Sequence, residues 1–122
     1  GHILSSNEFL DNFRLNKTKI TYATQSGPML ITNGVINRAF DPQSKNLNLR
    51  SGVGILPNGN IVFAITQSNQ TNFFTFASAF KRLGCDNALF LDGAISRMYL
   101  KDTRPGDLGG DFGAIISVTT KK

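Results

Sequence analysis

The chain has 122 residues, of which 40% are hydrophobic and 17% charged, and its formal net charge is +5. This length suits one domain with a real core, and the composition excludes an intrinsically disordered chain. The basic residues are scattered and form no stripe, so we expect no nucleic-acid partner despite the positive charge. No apolar run is long enough to cross a bilayer, so no membrane span is expected.

The chain contains one cysteine, Cys85, and one histidine, His2. A single thiol excludes an internal disulfide and a cysteine-rich zinc site, so Cys85 is expected to fill space after a helix as a small hydrophobe. The start, Gly1-His2, is typical of the remnant of a cleaved tag. If His2 comes from a tag, no other histidine is present, and acid–base chemistry would depend on carboxylates, Tyr, Lys or Cys with water. We predict neither a cofactor nor a bound metal.

The first part of the chain predicts a short helix followed by two strands. Residues 3–16 mix polar and apolar positions, and Ser5 or Ser6 would cap a helix there. Apolar alternation in residues 18–24, TKITYAT, predicts a strand. A second short strand is predicted in residues 29–34, MLITNG.

The middle of the chain predicts a polar loop and then a hairpin. Residues 37–50 are polar throughout and are expected to be irregular. After them, residues 53–56 and 60–66 are apolar and flank the turn pair Asn58-Gly59, which favours positive φ. This is the clearest hairpin in the sequence.

The period of the apolar residues then changes from that of a strand to that of a helix. A helix is predicted over residues 72–83, with Asn72 as its cap and Gly84 ending it in a left-handed conformation. Its apolar residues recur at helical spacing: Phe73, Phe76, Ala77, Phe80 and Leu83. We interpret this stripe as the face of a helix that lies on a sheet.

The last part of the chain predicts three strands and a glycine-rich loop. Residues 87–92, NALFLD, are apolar on both faces and should form a central, buried strand. Strands are also predicted at 97–101 and 114–120, with the loop between them. The connections are too short for repeated crossovers, so we predict an α+β fold with one main helix, about 72–83, on a mostly antiparallel or mixed sheet.

The acid that ends the buried strand, Asp92, is the first candidate for chemistry. A carboxylate at the end of a central strand would be held rigidly at the rim of the sheet, and Gly93 would leave room for a ligand. Desolvation would raise the pKa of Asp92 and a nearby arginine would lower it, which are the adjustments that general acids and bases need. The alternative is that Asp-Gly is simply a turn pair.

Arginines and turn residues form a second group of candidates. Arg50 precedes a predicted strand, where its guanidinium could fork onto a phosphate or carboxylate, although a surface arginine is the simpler interpretation. Arg97 could pair with Asp92 or bind an anion. Gln25, Ser26 and Gly27 offer amide and hydroxyl donors to a polar ligand, or form an ordinary turn.

Two further acids, Asp107 and Asp111, lie in the glycine-rich loop. Their spacing resembles part of a calcium loop, but the full pattern that ends in Glu is missing, so a loop without metal is the stronger prediction.

Several segments together resemble the phosphodiester glycosidase family: QSGPMLITNG, RSGVGILPNGNIVFAIT and FASAFKRLGCDNALFLDGAISRMY, in that order. The resemblance extends from about residue 23 to residue 118 and is most specific over 83–96. Bacterial members are similar to the animal enzyme that uncovers mannose 6-phosphate by removing N-acetylglucosamine from a phosphodiester. The resemblance implies hydrolysis of a sugar–phosphate diester at the anomeric carbon.

The resemblance also implies roles for individual residues. Arg50, with Arg97, would neutralise the phosphate oxygens, and Asp92 would act as acid/base or position the sugar. Gly93 and Ser96 would line the active site, with residues 25–27 nearby. Glycoside hydrolysis generally uses two carboxyl groups, and the local candidates for the second are Asp41, Asp107 and Asp111.

Two departures from the family pattern affect these expectations. Ala94 stands where many relatives have a second glycine. Relatives also carry an N-terminal portion, with an NAGMF-like motif, that contributes to the same site. We therefore expect residues 1–122 to be one domain that forms the C-terminal part of a longer one. Sheet edges freed in this way would pair with another copy, which predicts a homodimer.

The resemblance implies a secreted or periplasmic hydrolase that acts on a sugar phosphate or an anionic glycan. The alternative is a non-catalytic carbohydrate-binding or self-associating module with an incomplete site. Such a module would present exposed aromatic residues to the sugar, with Tyr22 and Tyr99 as candidates.

Overall fold

The structure is a computed structural model that describes residues 1–15, 19–91, 96–104 and 115–120. It contains two helices and five strands within these residues. In chain order they are α1 Ser6–Arg14, β1 Met29–Thr32, β2 Val35–Ile36, β3 Ser51–Ile55, β4 Ile61–Ile65, α2 Phe73–Arg82 and β5 Asn87–Phe90. The α+β prediction is confirmed, including the main helix and the hairpin of β3 and β4.

The five strands form one antiparallel sheet in the order β2-β1-β5-β3-β4. The predicted position of the NALF strand is confirmed, because β5 lies in the middle between β1 and β3. β5 therefore ends beside the first residues of β1 and β3, and the candidate site lies at this end of β5.

Helix α2 packs on one face of the sheet. Asn72 caps it by accepting a hydrogen bond from the N–H of Thr75 (2.8 Å), and Gly84 follows it at φ 86°, both as predicted. The helix buries Phe76, Ala77 and Phe80 of the predicted stripe in the core, and Cys85 is buried shortly after it. Leu83, the last residue of that stripe, is instead 55% exposed, because it lies at the C-cap, beyond the last turn of the helix. The core consists of Leu30, Ile31, Phe76, Ala77, Phe80, Cys85, Ala88 and Phe90.

Two glycines of β3 let α2 approach the sheet closely. A Cβ on Gly52 would lie 3.0 Å from a ring carbon of Phe76, and one on Gly54 would lie 2.6 Å from the sulfur of Cys85 and 2.7 Å from Phe80. Since Phe80 is fully buried, its ring has no open space into which to move. Helix packing therefore requires glycine at positions 52 and 54.

We expect Gly54→Ala to lower the free energy of unfolding by about 2–3 kcal/mol, because the added methyl group overpacks a filled core. Urea denaturation followed by circular dichroism measures this change. Gly27→Ala is the matched control, since a Cβ at Gly27 meets nothing within 4 Å. Equal stability of the two variants would show that the core opens without cost around Gly54.

Helix α1 is confirmed, with Ser5 as its cap and Glu8 completing a capping box. The strand predicted at 18–24 is wrong over its described residues, where Tyr22 is 94% exposed and no neighbouring strand satisfies the backbone. The strand predicted at 97–101 is also wrong, because Leu100 instead pairs back on Arg104 in a tight turn. Residues 115–120 form no strand either.

Candidate functional site

Two strands begin where β5 ends, because β5 runs antiparallel to both β1 and β3. The N–H of Phe90 donates to the carbonyl of Pro28 (3.1 Å), and the N–H of Leu91 donates to the carbonyl of Ser51 (3.0 Å). These bonds join three segments in one row. We call this row the β5 rim: residues 27–28, 50–51 and 90–91.

Arg50 is the charged residue of the β5 rim, and its side chain is held by main-chain carbonyls. Its Nε donates to the carbonyl of Thr71 and its Nη2 to that of Asn46, each at 2.8 Å. Its backbone N–H donates to Oγ1 of Thr66 (3.0 Å). Arg50 therefore ties the loop before β3 to the loop before α2. These bonds use one N–H of Nε and one of Nη2, so a fork onto an anion would have to use the Nη1 and Nη2 end of the guanidinium.

Aromatic rings surround the guanidinium of Arg50. Its Cζ lies 3.7 Å from the ring centroid of Phe73 and 5.6 Å from that of Phe90. Phe73 also stacks on Phe40, with centroids 5.1 Å apart. A cation over a ring face is stabilised by the ring quadrupole, more so where water is excluded. Arg50 is only 2% exposed, so it is not the surface arginine of the simpler interpretation.

The positive charge of Arg50 is buried without an acidic partner among the described residues. Burial lowers the pKa of Arg50 from its ordinary value, and no carboxylate in this part of the chain opposes that shift. In the described ranges, every fully buried polar side-chain atom has a hydrogen-bond partner. Nη1 of Arg50 makes no hydrogen bond, so it is not fully buried and keeps some contact with solvent. An anion at Nη1 would compensate the desolvated charge.

Ser96 reaches the β5 rim from the segment that follows β5. Its Oγ lies 3.0 Å from the Oγ of Ser51, and both residues are buried. Arg97, which follows it, is exposed, and its Nη1 donates to the carbonyl of Ser96 (3.1 Å). The structure thus joins Ser96 to β3 beside Arg50 and leaves the side chain of Arg97 at the surface.

Residues Gln25, Ser26 and Gly27 lead into the rim just before β1. Gln25 and Gly27 are exposed and Ser26 is half-buried, and a cis peptide bond joins Gly27 to Pro28. The carbonyl of Pro28 is bonded to β5, as described above. This segment therefore presents polar groups to solvent next to the end of β5.

The candidate carboxylates are not brought together within the described residues. Asp41 is exposed and accepts a hydrogen bond from the N–H of Gln43 (2.8 Å), which is a turn contact. Four other predicted site residues lie outside the described residues. They are Asp92, Gly93, Asp107 and Asp111.

The sequence does not predict the contacts of several residues that shape the β5 rim. Asn72 was predicted only as a helix cap, but its Nδ2 also donates to the carbonyls of Pro42 (3.0 Å) and Ser44 (3.3 Å). Thr66 and Ser51 hold Arg50 and Ser96 in place. The sequence offered one signal, the polar residues before the helix α2, but the bonds themselves link residues that are as many as 45 positions apart.

An open cleft of about 400 Å³ lies elsewhere, between β4 and the segment 98–104. Its lining includes neither Arg50 nor Ser96, so it is separate from the β5 rim. Within the described ranges, no three His, Cys, Asp or Glu side chains are grouped so that they could hold a metal ion. No helix in the described part of the chain is both long and apolar enough to span a membrane.

Comparison with known proteins agrees with the family resemblance of the quoted motifs. The sequence profile of the family described as "Phosphodiester glycosidase" matches residues 4–115. The chain belongs to the phosphodiester glycosidase family. It is 47% identical over 93 residues to "Uncharacterized protein YigE" of Escherichia coli (strain K12), a match that covers 75% of this chain and 36% of that protein. The chain thus spans about a third of the length of this curated relative.

A solved structure is also similar. "Crystal structure of a hypothetical protein from Synechocystis" aligns with a TM-score of 0.45 and 28% identity, over 55% of this chain and 14% of that one. The family assignment depends on the sequence profile, which covers nearly the whole chain.

Proposed function

We propose that this phosphodiester glycosidase domain hydrolyses a glycosyl-1-phosphodiester, with the phosphate bound at Arg50. The observation that carries the proposal is the buried guanidinium of Arg50, which has no acidic partner among the described residues. A phosphodiester supplies the missing negative charge. The N–H groups that are not bonded to a main-chain carbonyl belong to Nη1 and Nη2, so we propose that the phosphate contacts this end of the guanidinium.

The chemistry needs fewer carboxyl groups than ordinary glycoside hydrolysis. The bond that breaks joins the anomeric carbon to a phosphate oxygen, water adds to that carbon, and a phosphate monoester leaves. Since the second pKa of a phosphate monoester is about 6, the leaving group departs as an anion and needs no strong general acid. Arg50 would stabilise the charge that develops on it. Asp92 would then serve as the base that takes a proton from the water.

Polar residues on and next to the β5 rim would bind the sugar. Ser96, with Ser51 beside it, and the segment 25–27 offer hydroxyl, amide and main-chain donors that can bond to the oxygens of a sugar. Gly93 and Arg97 complete the proposed set. From the family resemblance we also propose a secreted or periplasmic site of action.

The test is to incubate the chain with a nucleotide sugar in water enriched in ¹⁸O and to identify the products. The proposal predicts a free sugar that carries ¹⁸O together with an unlabelled nucleotide, because water attacks carbon. The full-length E. coli relative is assayed in parallel, since the chain covers only 36% of it. A sugar 1-phosphate as product would mean attack at phosphorus, and no turnover in either protein across several sugars would contradict the proposal.

Carbohydrate binding without catalysis is a second candidate, favoured by two exposed tyrosines. Tyr22 is 94% exposed and Tyr99 is 56% exposed. For a binding module we expect Tyr22→Ala to weaken the affinity for a nucleotide sugar about 2- to 10-fold, because a ring contact contributes about 0.5–1.5 kcal/mol. Calorimetric titration measures this, and Asp92→Asn should leave the affinity unchanged. An unaltered affinity in Tyr22→Ala would count against this candidate.

A further inference from the structure

Strand β4 forms a regular edge of the sheet that no other strand covers within the described residues. It pairs with β3 along its full length, from Ser51↔Ile65 to Ile55↔Ile61, without a bulge. Edge strands are normally protected from further pairing by charges, proline or bulges. The sequence of β4, IVFAI, has neither a charge nor a proline. No strand among the described residues pairs with its outer side, although Gly1 and the segment 98–104 lie beside its side chains.

The surface beside this edge is apolar. Val62 and Ala64 pack against the core, so the alternate residues of β4 lie on the face that α2 does not cover. Two of these are exposed, Ile61 at 49% and Phe63 at 36%. A strand added to β4 would find apolar contacts as well as hydrogen-bonding groups.

The same chain contains a segment suited to be that strand. Residues 115–120, IISVTT, contain five β-branched residues out of six and carry no charge. Such residues favour strands. The segment nevertheless pairs with no strand of the structure, and Ile115 and Val118 are 83% and 84% exposed. One chain thus carries both an uncovered edge and an unpaired strand-forming segment.

We propose that the edge of β4 binds residues 115–120 of a second copy of this chain. If each copy places its residues 115–120 on the β4 edge of the other, both edges and both segments gain strand hydrogen bonds. The result is a closed, two-fold dimer. In its own chain the segment is exposed and bonded to no strand, which leaves it available to a partner.

The opposite edge of the sheet is a poorer acceptor. β2 has only two residues, and the turn before it is held to the main body of the fold. The N–H of Gly34 donates to the carbonyl of Asp86, and the Nζ of Lys81 donates to the carbonyl of Gly34. A strand there would gain few hydrogen bonds, so β4 is the edge that we assign.

Sedimentation at micromolar concentration tests the proposal. The wild-type chain should have twice the mass of one chain. Ser117→Pro should be a monomer, because proline removes an N–H from the donated strand. Ile61→Lys should also be a monomer, because it places a charge on the accepting edge. Val35→Lys makes the same kind of change on β2, and we expect it to remain a dimer.

Hydrogen exchange distinguishes the remaining outcomes. The amides of residues 115–120 should be protected in the wild-type dimer and exchange freely in Ile61→Lys. A wild-type monomer, or a dimer that persists in Ser117→Pro, would overturn the proposal. A monomer with protected amides in this segment would overturn it too, since the segment would then pair within its own chain. Ser117 is exposed, so its replacement leaves the core intact and keeps the test valid.

Discussion

Replacing Asp92 by asparagine is expected to lower the turnover number for a glycosyl-1-phosphodiester by about 100-fold or more, the usual contribution of a general base. The amide keeps the size of the side chain but does not take a proton from water. Binding of the phosphate at Arg50 should persist, because an acid next to the substrate anion contributes no attraction to it. We therefore expect kcat to fall while KM changes little, as release of labelled sugar would measure.

Asp102→Asn is the matched control for this prediction. Asp102 is an exposed acid in the turn after Leu100, with φ 70°, a conformation that asparagine tolerates at least as well. Its replacement removes the same charge from the chain without touching the proposed site, so the turnover should stay at the wild-type level. Equal losses in the two variants would indicate a general effect of charge, and full activity in Asp92→Asn would reduce Asp92 to a turn residue.

The parts of the fold that were predictable from sequence are those that local patterns determine. The spacing of the phenylalanines requires a helix, and Asn72 and Gly84 mark its ends by bonds that involve neighbouring residues only. The Asn58-Gly59 turn likewise fixes the β3–β4 hairpin, with Gly59 at φ 84°. The resemblance to the family then predicted a function that no local pattern indicates.

The predictions that failed concern segments whose structure depends on residues far away in the sequence. Residues 18–24 and 115–120 alternate or are β-branched like strands, yet a strand forms only where another backbone lies beside it. The surroundings of the Arg50 side chain could not be predicted from the sequence for the same reason. Its guanidinium is fixed by Asn46, four residues earlier, and Thr71, 21 residues later. No spacing rule connects these three positions, so the sequence could propose an anion-binding arginine but not its restricted geometry.

Arg50→Lys tests that geometry directly, and we expect it to lower the free energy of unfolding by about 2–3 kcal/mol. A hydrogen bond to a charged group contributes about 1.5–3 kcal/mol, and lysine is too narrow to reach both the Thr71 and Asn46 carbonyls as the planar guanidinium does. The stacking on Phe73 is weakened as well. Urea denaturation of the two proteins measures the difference.

Arg38→Lys provides the reference for the Arg50 variant, because Arg38 is exposed and its replacement should change stability by no more than about 0.5 kcal/mol. The charge is the same in all three proteins, so a loss confined to Arg50→Lys would be due to bonding geometry. If the protein also turns over substrate, KM should rise in Arg50→Lys, since lysine lacks the Nη groups that are proposed to bind the phosphate. Two variants of equal stability would mean that the bonds from Arg50 to the Thr71 and Asn46 carbonyls contribute nothing to the stability of the fold.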